Sequence, residues 1–259
     1  MIITTTKAAE SSARQEAELL ALSWGASFKV RKKRSIQKWL LETGEAIYVV
    51  GDEADTFHPP NSSNGFFFHP SMAKLRGKRV LDGGRDPLIE AGGIEEGMSI
   101  LDCTLGLGSD SIVLSAAAGE TGYVQALEKT KEIEAVVKKG LQYWNLQDVL
   151  LNEAMQRIRT AHADYSKWLR ETPTASWDVV YFDPMFHEAL TDSSSMGPLR
   201  GAASYGGLQV IDVQEALRVC RNRVVFKEHS RSPVWEAFPK ARRKKSHAAF
   251  AYGILEKDV

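Results

Sequence analysis

The chain has 259 residues, of which 43% are hydrophobic and 25% charged, proportions typical of a globular protein. Its formal net charge is zero, which argues against nucleic-acid binding through overall charge. No segment approaches the roughly 18 apolar residues of a membrane helix, and the first residues lack the charged head and apolar body of a signal peptide.

Residues 1–65 are predicted to form a small α+β appendage. Strands are expected at residues 2–6, 28–32 and 46–50, where β-branched or alternating residues occur. A helix is expected at residues 8–24, ending at Gly25, and a second from a Ser35 cap to Leu41, stopped by Gly44. Residues 59–65 have the composition of a loop. A strand at 66–69 then opens a segment, residues 66–95, that is expected to connect the appendage to the main domain.

From residue 98 onward strands and helices alternate, as in a parallel sheet with helices on both faces. Strands are predicted at 99–103, 123–128, 160–164, 178–183 and 224–227, and helices at 109–118, 131–144, 150–158, 165–170 and 208–219. Segments 242–246 and 249–255 are too close for a crossover helix, so a hairpin is expected there. The predicted fold class is therefore α/β, a Rossmann-like and mostly parallel sheet with a C-terminal antiparallel hairpin in residues 66–259.

A glycine turn, Asp102-Cys103-Thr104-Leu105-Gly106-Leu107-Gly108, follows the first strand of this sheet. Glycine lets the backbone turn tightly and approach a ligand. Glu128 ends the second strand, where a carboxylate can accept hydrogen bonds from ribose hydroxyls. Ser109 and Asp110 open the next helix, adding backbone donors and an acidic side chain beside a cofactor. The position of Asp110 also suits the helix dipole, which is a purely structural explanation.

The cofactor indicated by this turn is of the adenosine type without phosphates. Ser111 stands where the dinucleotide-binding fingerprint has its third glycine, which disfavours NAD, and no Walker A sequence is present. S-adenosylmethionine (SAM) fits better, although a glycine turn in a nucleotide-free α/β fold remains the alternative. Asp164 ends the third strand and is expected either to reach an adenine amino group or to cap the following helix.

Asp183-Pro184-Met185-Phe186 follows a predicted buried strand and suggests chemistry on a planar amine. An amine on a ring is a poor nucleophile because its lone pair is delocalised into the ring. The Asp183 carboxylate and the Pro184 carbonyl can accept its two N–H groups, and proline brings no competing N–H. Phe186 offers a face for the base, worth about 1–3 kcal/mol in stacking. The alternative is that the tetrapeptide is only a strand terminus.

Local charge and cysteine content bear on partners and setting. Arg31-Lys32-Lys33-Arg34 and Arg242-Arg243-Lys244-Lys245 are two purely basic tetrads, which either contact RNA phosphates or are solvated surface segments. Cys103 and Cys220 are far apart and fit no metal-binding spacing, so we expect no metal and a reduced, cytoplasmic setting.

Three blocks of the chain resemble the bacterial small-subunit ribosomal RNA guanine-N2 methyltransferases of the RsmJ type. The blocks are Phe68-His69-Pro70-Ser71-Met72-Ala73 with Gly83-Gly84-Arg85-Asp86-Pro87-Leu88, the glycine turn through Asp110, and Val179-Val180-Tyr181-Phe182-Asp183-Pro184-Met185-Phe186. The resemblance covers about residues 66–255. It departs from the family at Ser109, usually arginine there, and at His187, usually proline.

This resemblance implies a class I SAM-dependent methyltransferase that modifies a guanine amino group in ribosomal RNA. It implies cofactor contacts at Ser109, Asp110, Glu128, Lys129, Ala163, Asp164 and Asp183. Two alternatives stay open. One is methylation of another planar nitrogen, in DNA, a protein glutamine or a small molecule, and the other is a SAM-binding RNA-association module without turnover. The intact Asp183, Pro184 and Phe186 argue against the second.

Overall fold

The computed structural model describes residues 1–32, 34–60, 62, 64–184, 207–245 and 249–257. These fall into two compact units. The N-terminal unit contains Met1–His69 and Ala135–Trp144, and the second unit contains Pro70–Glu134 and the described residues after 144. The predicted domain boundary between residues 65 and 66 stays a prediction.

The N-terminal unit is built on a five-stranded sheet of order β2-β1-β3-β4-β5, with β1 parallel to β2 and β3 and the last two strands antiparallel. Two helices, α1 and α2, follow β1 and β2 in the chain. The elements are β1 (Ile2–Thr5), α1 (Ser11–Trp24), β2 (Ser27–Phe28), α2 (Ile36–Thr43), β3 (Ile47–Val50), β4 (Thr56–His58) and β5 (Phe66–Phe67).

The predicted helix ends of this unit are confirmed. Helix α1 ends at Gly25 and α2 ends at Gly44, with left-handed φ angles of 63° and 65°, and the Ser35 side chain accepts a hydrogen bond from the Lys38 N–H. The predicted strand at 28–32 is wrong beyond its first residue. Lys32 has a φ of 51°, which is incompatible with an extended strand.

The second unit is built on a seven-stranded sheet of order β11-β12-β10-β9-β6-β7-β8. Its strands are β6 (Ser99–Asp102), β7 (Tyr123–Glu128), β8 (Arg159–His162), β9 (Trp177–Phe182), β10 (Cys220–His229), β11 (Arg242–Lys245) and β12 (Phe250–Glu256). Strands β6 to β10 pair in parallel, whereas β12 is antiparallel to β10 and to β11. The predicted mostly parallel sheet with a C-terminal antiparallel hairpin is therefore confirmed.

Two helices of this unit, for which no helix was predicted, lie in the segment expected to connect the appendage to the main domain. The helices of the unit are α3 (Ser71–Leu81), α4 (Pro87–Gly92), α5 (Ser109–Ala118), α6 (Lys131–Tyr143, continuing into the N-terminal unit), α7 (Val149–Arg157), α8 (Tyr165–Glu171), α9 (Val210–Val219) and α10 (Val234–Ala237). Asp86 caps α4 by accepting a hydrogen bond from the Leu88 N–H, and Pro87 opens the helix with its φ already set.

The order of the strands determines where a ligand site lies. Strand β6 pairs with β7 on one side and with β9 on the other, so the chain reverses its direction of travel across the sheet at β6. In open α/β sheets ligands bind outside the carboxyl ends of the strands at such a point. Buried apolar side chains, among them Leu101, Val180 and Phe226, pack together in the core around these strands.

None of the helices in the described ranges is long and apolar enough to cross a membrane. The two cysteines are unpaired and buried. The cytoplasmic setting stays a prediction.

Candidate active site

The two motifs of the sequence meet at the carboxyl ends of neighbouring strands. Asp102 ends β6, and the register pairs it with Tyr181, so that Asp183 lies just past the end of β9. The Asp183 N–H donates a hydrogen bond of 2.6 Å to Thr104 Oγ1 in the glycine turn. The strand that leads into the glycine turn and the strand that leads into Asp183-Pro184 are therefore neighbours in the sheet.

Asp102 organises the glycine turn from beneath. Its carboxylate accepts hydrogen bonds from the Thr104 N–H at 2.9 Å and from the Ser111 hydroxyl at 2.5 Å, and the side chain is buried, with 1% exposure. Burial raises the pKa of Asp102 to about 7. Gly106 and Gly108 have φ angles of 49° and 74°, a region that favours glycine, so the turn presents bare backbone at its top.

Glu128 ends β7, on the other side of the turn. Its carboxylate accepts a hydrogen bond of 2.8 Å from the Thr130 N–H and faces the Gly106 N–H. The Leu105 N–H donates to the Leu127 carbonyl at 2.8 Å, which holds the turn against β7. Burial raises the pKa of Glu128, and the backbone donors oppose that shift.

The remaining predicted cofactor residues lie around α5 and β8. Ser109 is the first residue of α5. Lys129 forms an ion pair of 2.9 Å with Asp164, which lowers the pKa of that carboxyl. Asp164 also caps α8 by accepting a hydrogen bond of 2.9 Å from the Ser166 N–H, and the Ala163 N–H donates to the Glu128 carbonyl at 2.8 Å. The capping role predicted for Asp164 is confirmed, and its contact with adenine stays a prediction.

Asp110 lies in the first turn of α5 and is held by three side chains from other elements. Arg76 of α3 donates to its Oδ1, the Tyr181 hydroxyl donates to its Oδ2 at 2.7 Å, and Lys227 Nζ lies 3.8 Å from Oδ2. Burial alone would raise its pKa, but Lys227 and Arg76 lower the pKa of Asp110 to about 2. Arg76 also forms two hydrogen bonds, of 2.8 and 3.0 Å, with Asp86.

Asp183 forms an ion pair with Lys227 of β10, whose Nζ lies 2.7 Å from its Oδ2. Both side chains are about a quarter exposed, at 24% and 23%. Burial raises the pKa of Asp183 to about 6, although Lys227 acts in the opposite direction. Burial would lower the pKa of Lys227, but Asp110 and Asp183 outweigh it and raise that pKa. Pro184 is buried, and Phe186 lies outside the described residues.

The sequence predictions missed Arg76, Tyr181 and Lys227. Lys227 was the last residue of a predicted strand, so its place at the carboxyl edge could have been inferred from that strand. Tyr181 could be placed on β9 but not against a particular helix. Arg76 lies in the segment that was predicted to be a connection.

The two basic tetrads differ in how far their charges are already paired. In β11, Arg242 forms an ion pair of 3.4 Å with Glu256, Lys244 forms an ion pair with Glu90, and the Arg243 guanidinium lies 4.4 Å from the centre of the Trp235 ring. In the N-terminal unit, Arg31 donates to the Arg34 carbonyl at 3.3 Å, and Lys33 lies outside the described residues. Their contact with RNA stays a prediction.

The arrangement around the turn fits SAM. The left-handed glycines keep side chains away from the top of the turn, and the carboxylates of Asp102 and Glu128 end two neighbouring strands beside it. The Glu128 carboxylate suits a cofactor that carries ribose hydroxyls, whereas Asp102 is buried and shapes the turn. No phosphate-binding lysine follows the turn, since Ser109, Asp110 and Ser111 come next.

The family model described as "Putative SAM-dependent methyltransferase" matches residues 66–250, which is more than half of the chain. The chain belongs to this family. Its cofactor is SAM, as the family and the fold imply. The matched region includes α3, α4 and the strands β6 to β11, so the segment that carries Arg76 is part of the family domain.

Curated relatives and solved structures agree with this membership. The uncharacterised protein YpiP of Bacillus subtilis (strain 168) is 40% identical over 87% of this chain and 88% of its own length. The ribosomal RNA small subunit methyltransferase J of Cellvibrio japonicus is 28% identical over 74% of this chain and 72% of its own length. The crystal structure of the SAM-dependent methyltransferase NGO1261 from Neisseria gonorrhoeae has a TM-score of 0.64 at 13% identity, covers 99% of this chain and 96% of its own, and supports the fold.

Proposed function

We propose that this methyltransferase transfers a methyl group to the exocyclic amine of a guanine in small-subunit ribosomal RNA. The observation that carries the proposal is the hydrogen bond between the Asp183 N–H and Thr104, which joins the amine-binding strand end to the cofactor turn. The relatives named as ribosomal RNA small subunit methyltransferase J support RNA as the substrate.

Asp183 and Pro184 would act by orienting the amine. The cofactor supplies a methyl group on a positively charged sulfur. With both amine N–H groups on the Asp183 carboxylate and the Pro184 carbonyl, the nitrogen lone pair is turned out of the ring plane and toward that methyl group. When SAM is bound, the N–C bond would form as the C–S bond breaks, with the bonding pair leaving on sulfur.

The same carboxylate is suited to receive the proton that the amine loses. The pKa of Asp183 is raised to about 6 by burial, which makes it a stronger base than an ordinary aspartate while it stays ionised at neutral pH. It also stabilises the positive charge that builds on the nitrogen during transfer. Phe186 is expected to stack on the base, and a base in a helix would have to be unstacked first.

The decisive experiment measures which macromolecule accepts the methyl group. The purified chain is incubated with methyl-labelled SAM and, separately, with RNA, DNA or protein from a strain that lacks its gene. We expect label in RNA only, recovered as N2-methylguanosine after digestion, and no label in RNA from the parent strain. Label in DNA or protein would show that another planar nitrogen is the target, and binding of both SAM and RNA without methyl transfer would indicate an RNA-association module.

Asp183→Ala tests the mechanism in the same assay. The single-turnover rate is expected to fall about a hundred- to a thousandfold, the usual loss for one preorganised transition-state hydrogen bond, with SAM affinity changed far less. Asp178→Asn is the matched control, because Asp178 is the second residue of the same strand and accepts a hydrogen bond of 2.7 Å from the Ser99 N–H, away from the turn. Near-normal turnover by Asp183→Ala would mean that the tetrapeptide is only a strand terminus.

A further inference from the structure

Lys227 lies between two carboxylates at the centre of the site. The parallel register pairs Phe226 of β10 with Phe182 of β9, so Lys227 and Asp183 are neighbours at the carboxyl ends of the two strands. Its Nζ lies 2.7 Å from Asp183 Oδ2 and 3.8 Å from Asp110 Oδ2. One ammonium group is thus shared by a carboxylate of the catalytic strand and a carboxylate of α5.

The other charged and titratable groups around Asp183 do not replace this ammonium. Asp110 of α5 raises the pKa of Asp183. Asp102 of β6 and the Tyr181 and Tyr252 hydroxyls carry no positive charge, and burial together with the Asp183 charge raises the pKa of each of these three groups. Arg76 of α3 is the other cation in this network. Its guanidinium is bonded to Asp86 and Asp110, and in the described part of the chain the ion pair of Asp183 is with Lys227.

We propose that Lys227 is a positioning residue for methyl transfer, which keeps the Asp183 carboxylate ionised and holds it toward the amine. The proposal deepens the proposed function and rests on it. Two carboxylates that face one another in a largely buried site do not both stay ionised unless a cation lies between them. Without Lys227, Asp183 would take up a proton near neutral pH and present a hydroxyl donor where the amine needs an acceptor.

The test substitutes Lys227→Met, which removes the charge and keeps a linear side chain, and Lys227→Arg, which keeps the charge. Loss of one close opposite charge raises the pKa of a carboxyl by about 1–3 units. The single-turnover rate of Lys227→Met with labelled SAM and RNA from the deletion strain should therefore fall about two- to a hundredfold at pH 7. The rate should recover as the pH rises toward 9, and Lys227→Arg should retain most of the normal profile.

Lys257→Met is the control for the loss of a partly buried lysine. Lys257 follows β12 and donates to the carbonyls of Arg218 and Cys220, at 3.1 and 2.6 Å, beside the amino-terminal end of β10. Its variant should keep the normal pH profile. If the rate of Lys227→Met is lowered equally at every pH, Lys227 has only a structural role and the inference is wrong.

A measurement without substrate separates this inference from the proposed function. Carboxyl carbons of aspartate are labelled with carbon-13, the Asp183 signal is assigned from its absence in Asp183→Asn, and the titration is followed by NMR. We expect the Asp183 midpoint to rise by about one unit or more in Lys227→Met. An unchanged midpoint overturns the inference whatever the activity. If the normal protein methylates none of the substrates, the proposed function is wrong, but the titration still measures the effect of Lys227 on the pKa of Asp183.

Discussion

Asp102→Asn should be stabilised relative to the normal protein as the pH rises from acidic to alkaline values, even though it changes a residue beneath the cofactor turn. Asparagine keeps the shape of the side chain and an oxygen for the Thr104 N–H, and its amide can donate to the Ser111 hydroxyl oxygen. What the substitution removes is the charge that the buried carboxyl acquires when it loses its proton.

The magnitude follows from the pKa of Asp102, which burial raises from 3.8 to about 7. The folded protein holds this proton to a higher pH than the unfolded chain does, so stability is lost as the pH rises through about 7. A difference of about 3 units corresponds to about 4 kcal/mol, of which about 2–3 kcal/mol is lost between pH 5 and pH 8. Asp102→Asn should not suffer this loss.

Thermal unfolding of both proteins without SAM, at pH 5 and pH 8, measures the difference. For a chain of this size, 1 kcal/mol corresponds to about 2–4 °C, so the variant should gain about 5–10 °C relative to the normal protein between these pH values. Asp178→Asn is the control. Hydrogen bonds from Ser99 and Arg221 lower the pKa of Asp178 despite partial burial, so its variant should differ from the normal protein by a constant amount. A constant difference for Asp102→Asn as well would refute the reasoning.

Two further predictions concern the cofactor and RNA. Glu128→Gln should weaken SAM affinity about ten- to a hundredfold, the effect of losing one charge-assisted hydrogen bond, and unchanged affinity by calorimetry would remove the ribose-binding role. Neutralising the tetrad of β11 should flatten the salt dependence of RNA binding without changing SAM affinity. Because Arg242 and Lys244 are already in ion pairs, the slope of log affinity against log salt concentration should change by an amount nearer to that of two phosphate contacts than of four. An unchanged slope would indicate that the tetrad is only a solvated strand face.

The strands and most helices of the sheet could be predicted because their signals are local. Apolar runs that end in Asp102, Glu128 or Phe182 predict buried parallel strands, and glycines predict the turns between elements. The segment before the sheet was harder to interpret. Helix α4 has only six residues, and its start, Asp86-Pro87, equally suggests a turn. The strand expected at 28–32 failed because a short alternating pattern does not reveal the left-handed backbone at Lys32.

The candidate site divides in the same way. Asp102, Glu128 and Asp183 could be predicted because strand ends converge on one edge of a parallel sheet. The cations that face Asp110 and Asp183 come from α3 and β10, and no periodic pattern in the sequence predicts which cation faces which carboxylate. Lys227 lies 44 residues from Asp183 along the chain. Such a pairing becomes visible only when the register of β9 and β10 is known.

The position of Arg76 has a consequence for where this catalytic domain can be cut. Its guanidinium forms ion pairs with Asp86 at the start of α4 and with Asp110 at the start of α5. A helix that precedes the sheet in the chain therefore helps to hold the helix that follows the cofactor turn. A fragment that began at β6 would retain every residue of the glycine turn. It would nevertheless leave Asp110 without one of its two cationic neighbours and would bare the side of α5 that α3 covers. A fragment that keeps this ion pair and the cover of α5 therefore has to begin before α3.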